Sequence, residues 1–200
     1  MKKTREKGIK QIFSPSKLVE SLYEEDLDKV VELFQEKGFR DALIIKDSIS
    51  WNKDNTINLD IYLTQGDRYK FGKIDFLGNT VFTDQQLQSI LRIDEGVTYN
   101  GKSLNERVYG DGTPESQDIT NTYLDNGYLF SRVNAVETSA ENNTIDLEIR
   151  IIEDEAATIR KVTVKGNDVT NDHVLYREIR TKPGDLFSKS DIVRTIRELG

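Results

Sequence analysis

The chain has 200 residues, 36% of them hydrophobic and 32% charged, with a net charge of −7, one histidine and no cysteine. The missing cysteines exclude disulfides and thiolate metal sites, and the negative charge disfavours a surface built for phosphate backbones, which needs a Lys/Arg face. No apolar run approaches the roughly 20 residues that span a bilayer. The basic start at Lys2, Lys3, Arg5, Lys7 and Lys10 is followed by no apolar stretch over 11–17, so it does not read as a signal peptide.

In chain order, Leu27, Val30, Val31 and Phe34 stand at i, i+3, i+4 and i+7 ahead of Gly38-Phe39, which predicts a helix with one apolar stripe. Glu24, Glu25, Asp26 and Asp28 open that stretch, where carboxylates favour the positive end of a helix dipole. A strand over 42–49 and an Asn/Asp-rich turn over 52–55 follow. Ile57, Leu59, Ile61 and Leu63 then alternate with Asn58, Asp60, Tyr62 and Thr64, the period of a half-buried strand.

Ile74 and Phe76 alternate in the same way before the turn Gly78-Asn79. Thr83 with Gln86 is a capping-box pattern, and Leu87, Ile90 and Leu91 supply the face of a short helix that stops at Gly96. Gly101, Gly110, Gly112 and Pro114 predict an irregular surface excursion between Tyr99 and Ser116. A second helix begins near Ser116, presents Ile119, Tyr123 and Leu124, and stops at Asn126-Gly127. A hairpin closes on Ile145, Leu147, Ile149 and Ile151, and Val162 and Val164 predict a further strand before Gly166-Asn167.

These elements repeat. Lys73, Gly78, Asn79, Val81, Asp84, Leu87, Arg92 and Gly96 return 88 positions later as Lys161, Gly166, Asn167, Val169, Asp172, Leu175, Arg180 and Gly184. Thr56, Ile57, Leu59 and Ile61 map onto Thr144, Ile145, Leu147 and Ile149 at the same offset, while Gly38-Phe39 maps onto Gly127-Tyr128 at 89. Such self-similarity is the mark of a repeat architecture. The repeats divide the chain into residues 1–70, lacking a first strand, a whole unit over 71–155, and the N-terminal half of a further unit over 156–200, as expected of a piece of a longer chain.

Each whole unit is expected to be an α+β layer in the order β-α-α-β-β, a three-stranded mixed sheet covered on one face by two helices. Ile74, Phe76, Leu87, Leu91, Ile119, Tyr123, Leu147 and Ile149 are expected in one core. No residues are assigned to catalysis, cofactor binding or metal binding. His173 stands alone at a helix start, no Gly-x-Ser-x-Gly elbow is present, and Gly110-Asp111-Gly112 lacks the Lys-Ser/Thr of a phosphate loop.

Three features together resemble POTRA domains: the element order, the stretches Lys-Ile-Asp-Phe-Leu-Gly-Asn at 73–79 and Arg-Lys-Val-Thr-Val-Lys-Gly-Asn at 160–167, and the Gly-aromatic helix ends. The resemblance covers nearly all of 18–200 and is nearest to outer-membrane protein assembly factors of the BamA type, approximately their third to fifth repeats. It implies a non-enzymatic periplasmic scaffold at the outer membrane of a Gram-negative bacterium. The implied partners are unfolded outer-membrane β-barrel proteins and assembly-complex lipoproteins, with no nucleic acid, and with membrane contact only through a barrel outside this chain.

The same layout puts the second strand at a sheet edge, where an extended peptide can add. Ala42, Leu43, Ile44, Ile45, Lys46 and Asp47 are then the candidate recognition edge, the alternative being an ordinary edge protected by Lys46 and Asp47. Trp51 is read either as a partner anchor or as packing on the hairpin. The POTRA region of a two-partner secretion or autotransporter-assembly transporter, and a passive spacer, are the rival functions.

Overall fold

The computed structural model describes residues 20–54, 56–113, 115–166 and 172–199. Helix α1 (Glu20–Gln35) leads through the Gly38-Phe39 turn to strand β1 (Leu43–Trp51), which pairs antiparallel with β2 (Ile57–Thr64). Next come β3 (Lys70–Leu77), helices α2 (Asp84–Leu91), α3 (Gly101–Tyr109) and α4 (Ile119–Asp125), then the hairpin of β4 (Arg132–Glu141) and β5 (Thr144–Ile152). The chain continues to α5 (Asp172–Glu178) and α6 (Lys189–Leu199).

The second sheet has the order β3-β5-β4, with β5 parallel to β3 and antiparallel to β4, so it is mixed as expected. Alternation of β5 sends Ile145, Leu147, Ile149 and Ile151 to one buried face. Leu87 and Leu91 of α2 and Ile119 and Tyr123 of α4 close over that face, while Ile74 and Phe76 pack against it partly buried. The capping box forms as read: the Thr83 side chain accepts from the Gln86 N–H, and the Gln86 side chain accepts from the Thr83 N–H.

Three expectations need correction. The stretch expected to be an irregular excursion contains α3, capped by Asn100, whose side chain accepts from the Ser103 N–H; Leu104 and Val108 enter the core. Gly101 occupies the first turn and Gly110 follows the last residue, where neither breaks the hydrogen-bond ladder. The second helical layer is thus in two pieces, α3 and α4, joined by 110–118.

The acidic run does not begin α1, which is already helical from Glu20. Asp26 is fully buried and faces the partly exposed Lys29 at 3.7 Å, so it turns inward and is not a solvated carboxylate at the helix start. The strand expected around Val162 and Val164, over 159–165, does not form; the one bridge near it is Thr158 to Leu186, and among the described residues no strand lies beside it as β5 lies beside β3. Asn79 is a turn residue as read, its amide donating to the Phe82 carbonyl and the Asp84 carboxylate, while Asn167 lies outside the described residues.

The sequence repeat is also a hydrogen-bond repeat. Phe71 N–H to Val97 O, Gly96 N–H to Phe71 O and Tyr99 N–H to Tyr69 O, at 2.7 to 3.0 Å, recur 88 residues on as Ile159 to Asp185, Gly184 to Ile159 and Phe187 to Ala157. The passage from one unit to the next recurs too. Tyr69 N–H donates to Gly38 O and Ala157 N–H to Gly127 O, both at 2.8 Å. Both glycines hold positive φ, 98° and 96°. A Cβ on Gly38 would lie 2.6 Å from Thr98 Cγ2 and 3.2 Å from the Tyr69 carbonyl, so the backbones approach too closely for a side chain.

Polar side chains reinforce each passage at matching positions. Lys102 donates to Glu36 at 2.8 Å, and 88 residues after Lys102 the Ser190 N–H donates to Asp125 at 2.8 Å. Lys189 Nζ also donates to the Asn121 side-chain oxygen Oδ1 at 2.6 Å.

Within the second unit, Glu153 ties the end of β5 to the turn after β3. Its carboxylate accepts from Tyr123 Oη (2.6 Å), Thr80 N (2.8 Å), Thr80 Oγ1 (2.5 Å) and Val81 N (3.0 Å). Burial pushes the carboxyl pKa up, but the bonds from Thr80, Tyr123 and Val81 outweigh it and hold the group below its ordinary value of 4.5.

Two outcomes follow. Gly38→Ala forces a side chain into positive φ at the crowded turn and is expected to cost about 1–2 kcal/mol, read as a lowered denaturation midpoint. Glu153 has a depressed folded pKa, so its contribution is full above the unfolded carboxyl value and disappears as pH falls through the folded one. Glu153→Gln should therefore lose about 1.5–3 kcal/mol at pH 7. Urea titrations from pH 7 to 3 should show wild type and variant converging as the pH falls below the ordinary carboxyl value of 4.5.

A candidate strand-addition edge

The β1 strand lies at the rim of its sheet, its only ladder partner among the described residues being β2. Register runs from Leu43 opposite Thr64 to Trp51 opposite Ile57, with a bulge: Ile44 faces Leu63, Lys46 faces Tyr62, and Ile45 is the extra residue. A regular outer edge therefore extends over Lys46–Trp51, not across Ile45. Such an edge carries outward N–H and C=O groups at alternate residues, a template for a further strand.

The candidate residues divide accordingly. Leu43, Ile44, Ile45, Lys46, Asp47 and Trp51 all lie on β1. Ala42 does not; it precedes the strand, is 4% exposed, and its N–H is taken by the Phe39 carbonyl. Leu43, Ile45, Ile49 and Trp51 are exposed, and Trp51 at 74% is too open to be hairpin packing. Tyr23 of α1 is buried behind the strand, and burial first, then the Asp47 carboxylate, push its phenol above the ordinary value.

Where the first and second units meet, Arg40 pairs with Glu137 of β4 and lies over the Tyr69 ring, 5.8 Å from its centroid. Tyr99 Oη also donates to Glu137, at 3.1 Å, and burial together with that carboxylate raises the Tyr99 phenol to about 12. These groups are occupied by one another. Their arrangement is a joint. His173 is exposed near the start of α5, and the described residues contain no cluster of three or more His, Asp or Glu side chains placed to hold a metal.

The residues that build this sheet and the segment after it match a known family. The POTRA model, described as a surface antigen variable number repeat, matches residues 69–154 and 157–200. The chain belongs to the POTRA family. It is 27% identical over 186 residues to a putative outer membrane protein assembly factor of Treponema pallidum, covering 90% of this chain and 21% of that protein. It is 29% identical over 185 residues to the outer membrane protein assembly factor BamA of Nitratidesulfovibrio vulgaris, covering 91% and 22%. The chain thus spans about a fifth of the length of these relatives.

Among solved structures, POTRA3-5 of Haemophilus influenzae BamA superposes with a TM-score of 0.67 at 20% identity, covering 92% of this chain and 71% of that one. The chain is a BamA-like POTRA segment. Among its described residues no helix is long and apolar enough to cross a membrane.

Trp51 is the sole tryptophan, so fluorescence reads this edge directly. Its emission should be that of a solvated indole, fully open to iodide quenching, and little changed in 6 M guanidinium. A blue-shifted, quench-resistant emission would place the ring under cover.

Proposed function

We propose that the chain is a periplasmic part of a BamA-like assembly factor that receives unfolded outer-membrane β-barrel proteins by strand addition and docks assembly-complex lipoproteins on other faces. The division into 1–70, 71–155 and 156–200 as successive POTRA units belongs to the same reading. The observation that carries it is the β1 edge, regular over Lys46–Trp51, bearing the exposed Ile49 and Trp51, and without a second ladder partner among the described residues. Main-chain hydrogen bonding needs no particular client sequence, and bonds of about 0.5–1.5 kcal/mol net each keep the contact releasable. The relatives, named as outer membrane protein assembly factors, supply the cellular setting. The backbone-bonded joints at Gly38 and Gly127 favour a spacer role beside this one, holding the accepting edge at a fixed attitude to the following units.

The absence of cysteine allows a clean test. Ile49→Cys, mixed with a ten-residue peptide of alternating apolar and polar residues whose one Cys is activated as the thionitrobenzoate disulfide, should displace thionitrobenzoate and form the mixed disulfide at least tenfold faster than Gln85→Cys, an exposed site on α2. Equal rates at the two sites would leave a spacer as the better description.

A further inference from the structure

The second unit has an edge of its own, and it is not open. β4 is the outer strand of the β3-β5-β4 sheet. Ala135 sits opposite Ile149, yet its N–H donates to the Tyr109 hydroxyl at 2.9 Å. An N–H spent on a helix side chain is turned away from β5, so Ala135 is a non-hydrogen-bonded pair whose N–H and C=O face the rim. Tyr109 is the last residue of α3 and is held there by its neighbours: Val108 is fully buried, its carbonyl accepts from Thr120 Oγ1 at 2.7 Å, and Leu104 one turn earlier is buried too. The ring therefore rests across the middle of the rim, with its hydroxyl on the donor that an added strand would need.

The other rim of this sheet is covered by different means. The 96–99 segment bonds along the start of β3, through Phe71 N–H to Val97 O and Tyr99 N–H to Tyr69 O. Along β1, among the described residues, no side-chain hydrogen bond reaches an outward N–H as Tyr109 reaches Ala135.

We propose that Tyr109 is a specificity-determining cap that closes the β4 edge to extended peptides, so that a chain with two second-strand edges presents only β1 for strand addition. The inference rests on the reading of β1 given above, and it names what limits that chemistry to one place. The occupant excluded from β4 is the same class of ligand, an extended polypeptide segment, because only another backbone satisfies a row of alternating N–H and C=O groups.

Two variants separate the hydroxyl from the ring. Tyr109 is 44% exposed, so its replacement leaves the Leu104 and Val108 contacts of α3 in place. Tyr109→Phe should speed amide hydrogen exchange at Ala135 about tenfold, as expected for loss of one net hydrogen bond, while the ring still covers the rim. Tyr109→Ala should add a binding site. Titrated with a soluble Lys-flanked peptide of alternating Val and Thr and followed by backbone amide NMR, wild type should show protection along Lys46–Trp51 only, and Tyr109→Ala also at Val133, Ala135 and Glu137. No protection along β4 in a folded Tyr109→Ala chain overturns the proposal whatever β1 does. Protection of β4 already in wild type overturns it as well. Failure of β1 to respond in either protein counts against the reading of β1 alone, since the β4 amides report separately.

Discussion

The strand that comes last in the repeat is the one at the centre of the sheet. Because β5 pairs with β3 on one side and β4 on the other, the second strand is left at the rim, and its outward backbone groups must meet water, a side chain or another chain. The apolar stripe of β5 requires helices on one face, and those helices fix which rim groups are reached. Strand order thus precedes every functional statement about this molecule.

Edges of this kind invite unwanted pairing, and the chain handles each differently. β3 begins under the 96–99 segment, and β4 has an aromatic hydroxyl on an outward N–H and a bulge between Glu137 and Ser139. β1 has a bulge at Ile45 followed by a regular run ending at an exposed tryptophan. A bulge shortens the template without removing it. Among the described residues, the run Lys46–Trp51 keeps a regular outer side without a further ladder partner.

The joints share one backbone element. A glycine at positive φ lets the turn after the second helical layer approach the next first strand closely enough for a backbone bond, and the same bond occurs at Gly38 and Gly127. Around that constant element the polar contacts vary: Lys102 on Glu36 at one joint, Ser190 on Asp125 at the other. Backbone geometry is kept while side chains are exchanged, which is why the offsets of 88 and 89 survive in the glycines more clearly than in the charges around them.

The repeat, the alternating strands, the capping box and six of the eight expected core residues in their fully buried places were legible from the sequence, because period and turn chemistry are local properties. Ile74 and Phe76 were also placed on the right face, although they are only partly covered. Helix α3 was hidden because glycines at both of its ends read as breakers, although Leu104 and Val108 stand one turn apart and recur as Ile192 and Ile196 in α6. The failed strand at 159–165 shows the converse: alternation specifies a face, and a ladder needs a partner. Which N–H groups face the rim, that Ala42 is sealed in a turn, that Ile45 is a bulge, and that Tyr109 reaches Ala135 across 26 positions are decided only when strands and helices pack. The physical reason is that local sequence determines what a segment can become, whereas the exposure of one backbone group depends on every element that packs beside it.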